Sequence, residues 1–188
     1  MIRSKEAFTL IELLIVVAII AILALIAVPN FLEAQTRAKV SRTNADMRSL
    51  SVALEAYCVD YDNYPIGKLA GGQGDWIYPL SGRLKPLTTP VAYIATIPPD
   101  PFPVHEDYGA HPVELVDTFD YTDHISHRDR LEGTRGCVWR MASGGPDMRQ
   151  TYGEPSRGGV DYDPTNGTVS NGDIVRTGAK RADYRPWQ

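Results

Sequence analysis

The sequence lacks the residue patterns that most enzyme active sites need. It has no Gly-x-Ser-x-Gly elbow and no phosphate-binding P-loop, and its histidines have no nucleophile partner. Positive charge is also scarce, because 23 acidic residues outnumber 19 basic residues and the net charge is -4. Nucleic-acid phosphates need basic partners. We therefore expect neither an enzyme nor a nucleic-acid-binding protein.

Cysteine is rare as well, since the chain has only two, Cys58 and Cys137. If the protein is exported to an oxidising space, a disulfide between them is allowed, and it would stabilise the fold by about 4 kcal/mol in the chain-entropy model. The alternative is two buried thiols, because the geometry of a bridge does not follow from sequence. Both interpretations stay open at this point.

One long apolar run, residues 8–28, dominates the N-terminal part. As a helix it would span about 30 Å, the thickness of the hydrocarbon core of a bilayer. Arg3 and Lys5 precede the run, so the positive-inside rule leaves this leader in the cytoplasm and exports the remainder. A cleaved signal peptide would have a shorter apolar region and an Ala-x-Ala site after it, and the sequence has neither. The run predicts a membrane anchor.

Glu12 is the single charge in this run. An ionised carboxylate in hydrocarbon costs at least ~2.5 kcal/mol without a partner. Glu12 therefore reaches the interface, is protonated, or meets a cation after assembly. We favour the third interpretation, in which the chain is cut after Ala7 and the new amine of Phe8 lies beside Glu12 of a neighbouring copy. Such pairing would set a stagger between identical helices.

Residues 5–14, Lys-Glu-Ala-Phe-Thr-Leu-Ile-Glu-Leu-Leu, resemble the processing site of type IV pilins and type II secretion pseudopilins. In that family a prepilin peptidase cuts before the Phe and methylates the new amine, and the helices then pack into a filament core. The resemblance implies processing between Ala7 and Phe8 and assembly through Glu12. It implies as partners further copies of the chain, the prepilin peptidase, the inner-membrane platform and minor pseudopilins. Ala7 departs from the Gly that usually precedes the cut.

A second helical stretch follows Pro29, which should kink or loosen the helix. From Asn30 to about Asp62 the sequence has no Gly or Pro. Apolar residues there recur at three- and four-residue steps, which is typical of one buried helix face. They are Val40, Met47, Leu50, Leu54, Tyr57 and Tyr61. We expect one long helix that begins in the membrane and ends docked on a globular head.

Four segments follow from this organisation: a leader at 1–7, a transmembrane and filament-core helix at 8–29, an amphipathic helix at 30–64 and a head at 65–188. In the head we predict a short helix within 80–87 and strands at 113–116, 118–122 and 136–142. The expected fold class is α+β, with the long helix packed on a small antiparallel sheet, and it is pilin-like.

Ser143, Asp147 and Asp173 resemble elements of major pseudopilins that bind calcium and fix the C-terminal loop. The implied cofactor is therefore calcium, which takes six to eight oxygen ligands in irregular geometry. Two departures are Met148, where the family has Gly after the Asp, and a longer intervening loop. Without the resemblance, the same residues indicate ordinary turns.

All the histidines lie in a polar insertion at 103–135, namely His105, His111, His124 and His127. Asp123, His124 and His127 approach the spacing of metal ligands on a helical turn. No second cluster completes the usual four ligands of zinc, so we expect solvated histidines rather than a zinc site.

These patterns predict a structural subunit of a type II secretion pseudopilus that supports protein export across the outer membrane. It would span the inner membrane once, with its head in the periplasm, and assemble into an envelope filament. Within this class the alternatives are a type IV pilin and a minor pseudopilin. An alternative of another class is a membrane-anchored module that binds a glycan or another surface ligand.

Overall fold

The computed structural model describes residues 8–69, 74–102, 113–126, 134, 136–151, 160–165 and 170–180. Contacts divide the chain into two compact units, Met1–Thr36 and Arg37–Gln188. The first unit contains the apolar run, and the second contains the remainder of the chain.

The helix α1 runs from Leu10 to Tyr61 and is 52 residues long. It continues through Pro29, where the expected loosening does not interrupt it. In the first unit its large apolar side chains are exposed on every side of the helix. Because this part is long and apolar enough to cross a membrane, it fits the predicted anchor.

In the second unit one face of α1 is buried against the sheet. Met47, Leu50 and Leu54 are fully buried and belong to a core that includes Tyr121 and Trp139. Burying a side chain of this size stabilises a fold by about 1.5 to 3 kcal/mol. The predicted helix face is therefore confirmed.

At its two ends this face is less covered. Val40 and Tyr57 are only partly buried, and Tyr61 is exposed. The ring of Tyr61 stacks on that of Tyr57, with their centroids 4.4 Å apart.

The sheet has three antiparallel strands in the order β1-β2-β3, namely Asp120–Asp123, Trp139–Ser143 and Ile174–Thr177. Tyr121 pairs with Met141, which pairs in turn with Arg176. The α+β class is confirmed. The predicted strands at 118–122 and 136–142 overlap β1 and β2, whereas β3 has no counterpart among the predicted strands.

The prediction of a strand at 113–116 is wrong, because Val113–Leu115 forms a 3₁₀ helix. The backbone N–H of Leu80 donates to the carbonyl of Leu115 at 2.9 Å, and no neighbouring strand in the described part of the chain pairs with this segment. The short helix predicted within 80–87 is confirmed. It consists of α2, Ser81–Leu84, and a 3₁₀ turn, Lys85–Leu87.

A buried cluster of charges ties α2 to the sheet. Nη1 of Arg83 lies 2.7 Å from Asp120 on β1, and Nη2 of Arg140 on β2 lies 3.0 Å from the other oxygen of that carboxylate. The guanidinium of Arg83 also lies over the rings of Trp76 and Tyr78, 4.7 and 5.1 Å from their centroids. Removing Asp120 would leave two buried cations facing each other, so this carboxylate is essential to the local packing.

A second buried carboxylate, that of Asp123, connects the segment after α1 to the end of β1. Its oxygens accept the backbone N–H groups of Gly67, Ile125 and Ser126 at 2.9 to 3.0 Å. Because buried N–H groups need an acceptor, Asp123 holds two segments in place: the one after α1, at Gly67, and the one after β1, at Ile125 and Ser126.

Replacing Asp123 by Ala should therefore lower the free energy of unfolding by about 3 kcal/mol, since several buried donors lose a charged acceptor. Urea unfolding of the full chain in detergent, followed by tryptophan fluorescence, measures the change. Asp117→Ala is a matched control, because Asp117 is exposed and accepts the N–H of Ser81. Equal losses in the two variants would contradict the proposed role of Asp123.

Candidate functional site

Thr9 and Glu12 form a reciprocal hydrogen-bonded pair at the start of α1. The backbone N–H and the hydroxyl of Thr9 donate to Oε2 of Glu12 at 2.9 and 2.6 Å. The N–H of Glu12 donates back to the hydroxyl of Thr9 at 3.3 Å. This is a capping box, in which Thr and Glu three residues apart satisfy each other's exposed groups at a helix start. The Thr-x-x-Glu spacing is a visible sequence signal for this contact, although it was not among the predicted features.

The capping box changes how Glu12 is interpreted. Its carboxylate has hydrogen-bond donors within its own chain, so part of the cost of placing it in an apolar run is met before any assembly. Among the described residues, the carboxylate contacts of the box involve Oε2, so Oε1 can accept a further donor. Pairing with the amine of a neighbouring Phe8 stays a prediction, and Ala7 lies outside the described residues.

The three predicted calcium ligands lie around one loop beside the end of β2. Oγ of Ser143 donates to Oδ1 of Asp100 at 2.8 Å. Both oxygens of Asp147 accept backbone N–H groups, from Arg149 at 3.2 Å and Gly172 at 3.1 Å. The fully buried carboxylate of Asp173 accepts the N–H and the hydroxyl of Thr151.

Two glycines allow this loop to approach itself closely. Gly145 has φ +65°, and a Cβ there would lie 2.4 Å from the carbonyl oxygen of Gly172. Gly172 has φ +125°, and a Cβ there would lie 2.4 Å from the carbonyl oxygen of Val160. Met148 also has a positive φ, 55°, although it stands where the family has Gly. Residue 148 therefore has the backbone conformation that favours glycine, although its side chain is that of methionine.

The three predicted calcium ligands do not belong to a cluster of acidic, histidine or cysteine side chains in the described part of the chain. Among the described residues, no three Asp, Glu, His or Cys side chains lie close enough to hold a metal ion. Ser143, Asp147 and Asp173 are brought to one loop, but their oxygens are engaged in hydrogen bonds. Calcium binding by these three residues stays a prediction.

Asp100 joins this loop and was not predicted as a site residue. It is half-buried and accepts the backbone N–H of Phe102 at 2.9 Å as well as the hydroxyl of Ser143. Burial raises the pKa of Asp100 to about 6, and the negative charge of Asp173 contributes in the same direction. Sequence reasoning could not find this contact, since Asp100 and Ser143 lie 43 residues apart.

The remaining candidates do not form sites in the described part of the chain. Cys58 is half-buried and Cys137 is buried, and no disulfide joins these two cysteines. His124 has Nδ1 3.2 Å from the carbonyl of Val138, and the oxygens of Asp123 bind backbone N–H groups. His105, His111 and His127 lie outside the described residues.

The start of the chain matches a family model. Residues 2–28 match the prokaryotic N-terminal methylation motif. The chain carries the N-terminal methylation motif of the type IV pilin and pseudopilin family. The motif covers the capping box and the exposed apolar part of α1, and this agrees with the resemblance of residues 5–14.

Curated relatives of the chain include both pilins and secretion proteins. The chain is 49% identical over 60 residues to the type IV major pilin protein PilA of Myxococcus xanthus, covering 32% of this chain and 27% of the relative. It is 38% identical over 63 residues to the type II secretion system core protein G of Pseudomonas aeruginosa, and the match covers 34% of this chain and 44% of the relative. It is 30% identical over 108 residues to the type II secretion system core protein G of Dickeya chrysanthemi, and the match covers 53% of this chain and 65% of the relative.

The chain thus spans less than two thirds of the length of each of these relatives. No solved structure matches it.

We expect the stability of the second unit to fall as the pH rises from 4 to 6, because of Asp100. Its pKa is about 6 in the fold and 3.8 in the unfolded chain, so the folded state keeps a proton that the unfolded chain has already released. That advantage disappears as the pH approaches the folded pKa, and the fall should be about 2 to 3 kcal/mol.

Urea midpoints of the full chain, measured from pH 3.5 to pH 7 with chelator present, test this expectation. Asp100→Asn should flatten this part of the profile, because the amide does not titrate. A wild-type profile that the substitution leaves unchanged would contradict the assignment to Asp100.

Proposed function

We propose that this chain is a structural subunit of a type II secretion pseudopilus, which polymerises through α1, and that it is not an enzyme. The observation that carries the proposal is the methylation motif at the start of an apolar helix exposed on all sides. Such a helix must lie in lipid or among helices of its own kind, because water does not tolerate that much apolar surface.

The choice of a secretion pseudopilus rests on the number of residues over which the chain is similar to each relative. Similarity to the core protein G of Dickeya chrysanthemi extends over 108 residues, well beyond the methylation motif. The alternative, a type IV pilin, is supported by the higher identity to the pilin of Myxococcus xanthus over 60 residues. Sheared envelope filaments that contain this chain only when the secretion system is intact would favour the pseudopilus.

In this proposal the membrane stores the subunit, with its anchor in the inner membrane and its head in the periplasm. A prepilin peptidase removes residues 1–7 and methylates the amine of Phe8. The platform and minor pseudopilins then bring copies together, so that lipid around α1 is replaced by neighbouring helices. Glu12 keeps its bonds to Thr9 and gains the neighbouring amine through Oε1, which lowers the cost of its charge.

Replacing Glu12 by Val should leave the protein in the membrane and abolish filaments, because no carboxylate remains to meet the neighbouring amine. Thr9→Val is the matched variant, since it removes the hydroxyl of the capping box but keeps the charge. We expect it to retain filaments. Sheared filaments are quantified by immunoblot, and the Phe8 terminus is identified by mass spectrometry.

Loss of filaments in both variants would show that the capping box, rather than charge pairing, is the essential contribution of Glu12. Wild-type filaments whose subunits retain residues 1–7 would contradict the proposed function itself.

Calcium binding through Ser143, Asp147 and Asp173 stays a prediction from the resemblance. What supports it is that Asp100 and Asp173 lie close enough for the charge of Asp173 to raise the pKa of Asp100. A divalent cation would relieve this repulsion by binding carboxylate oxygens.

Titration of the chelator-treated full chain with calcium chloride in a calorimeter tests this prediction. We expect heat from the wild type and none from Asp173→Asn. Asp163→Asn is the control, because Asp163 is exposed and caps its own turn at Thr165. An absence of heat with the wild type would remove calcium from the proposal.

A further inference from the structure

The C-terminal end of α1 is negatively charged, and the helix supplies no cation to balance it. Its last turn contains no basic residue, although Lys, Arg or His is common at such a position. Asp60 and Asp62 are both exposed there, and the aligned peptide dipoles of the helix add partial negative charge at the same end. Among the described residues, neither carboxylate forms an ion pair. This end of α1 therefore favours a cation from another part of the chain.

Tyr61 places an aromatic surface beside these carboxylates. Its ring stacks on that of Tyr57 at an interplanar angle of 24°, and 48% of Tyr61 stays exposed. Asp60 accepts a hydrogen bond from the hydroxyl of Tyr93, which contacts Tyr57 as well. Asp62, which follows Tyr61 directly, has no such contact in the described part of the unit. The open part of the surface thus consists of one tyrosine ring and one carboxylate.

Arginine is the cation that suits this pair of groups. Its planar guanidinium can lie over an aromatic ring and pair with a carboxylate at the same time. The second unit contains an example, because the guanidinium of Arg83 lies 5.1 Å from the ring centroid of Tyr78 and 2.7 Å from the carboxylate of Asp120. Tyr61 and Asp62 offer the same two groups without the arginine.

The strand β3 runs beside α1 in the same direction and approaches this end of the helix. Nε of Arg176 donates to the hydroxyl of Ser51 at 3.2 Å. Two residues later, a Cβ at Gly178 would lie 2.5 Å from Nε1 of Trp139, the atom that donates to Glu55. Two strand residues thus advance as far as four helix residues, because the rise per residue is about 3.3 Å in a strand and 1.5 Å in a helix.

The chain continues along β2 up to Lys180, which pairs with Cys137. Three strand residues beyond Gly178 span about 10 Å, and so do about seven helix residues beyond Glu55. At this advance the next residue, an arginine, comes level with Asp62. The direction of the described chain therefore brings a guanidinium to the end of α1 that lacks a cation.

We propose that residues 181–188, which lie outside the described residues, bind the C-terminal end of α1. The guanidinium of Arg181 lies over the ring of Tyr61 and pairs with the carboxylate of Asp62. This contact holds the last helical turn closed, because the backbone N–H of Asp62 donates to the carbonyl of Cys58 at 2.8 Å. The inference goes beyond the proposed function, since it concerns a contact within one chain.

Disulfide trapping in the full chain, kept in detergent, tests the position of this segment. In a Cys58→Ala/Cys137→Ala background, Asp62→Cys is combined with Arg181→Cys. In oxidised glutathione we expect this variant to form a disulfide within one chain at least tenfold faster than the matched variant Ala56→Cys/Arg181→Cys. Ala56 is exposed and lies six residues earlier, about 120° around the helix.

Alkylation of Cys58 by iodoacetamide gives a second measurement in the natural cysteine background. Cys58 is half-buried in the last turn, so fraying of that turn exposes its side chain. Arg181→Glu should raise the alkylation rate of Cys58 at least threefold, because it brings a further carboxylate to a negative helix end. Arg181→Lys keeps the charge and should stay within twofold of the wild type. Cys137 is buried and reports unfolding of the whole unit, so its rate should not change.

Equal rates of disulfide formation in the two cysteine pairs would contradict this inference. An alkylation rate of Cys58 that Arg181→Glu leaves unchanged would also contradict it. Disulfides that join two chains would show that the segment binds a neighbouring copy instead, and the inference would again be wrong. None of these measurements requires filaments or processing, so they can fail while the proposed function holds, and the reverse.

Discussion

Burial of one face of α1 is the constraint on which the second unit depends. Leu50 and Leu54 are fully buried in the same core as the strand residue Met141, and a sheet of three short strands needs such a helix to cover its apolar face. Polar contacts then fix the angle and register of this packing. Trp139 donates to Glu55, and Arg176 donates to Ser51, so β2 and β3 are each joined to the helix by a side-chain hydrogen bond.

The helix was predictable from sequence because its signal persists over many residues. A repeat of three and four residues from Val40 to Tyr61 has few interpretations other than a helix with one buried face. The strands were less predictable, since each has only four or five residues. Whether a segment that short pairs depends on a partner far away in the chain. The 3₁₀ helix at Val113–Leu115 and the missed strand β3 both follow from that dependence.

The candidate sites show the same division between local and distant information. The Thr9–Glu12 capping box joins residues three positions apart, and its spacing is visible in the sequence. The contact between Asp100 and Ser143 requires the fold, because it joins a proline-rich connection to the end of β2. Residues that belong to a motif, such as Glu12 and Ser143, could therefore be named from the sequence. The half-buried carboxylate of Asp100, which contacts Ser143, could not.

Glu12 illustrates how one helix could specify an assembly. Its carboxylate accepts the backbone N–H and the hydroxyl of Thr9, and in the proposed filament its negative charge would meet the amine of a neighbouring copy. A bound carboxylate loses little side-chain entropy when a cation arrives, so it is a better partner than a mobile one. In that pairing the amine of the neighbouring Phe8 lies at the level of Glu12, four residues further along the helix, so each copy would be displaced in the same direction relative to the one before it.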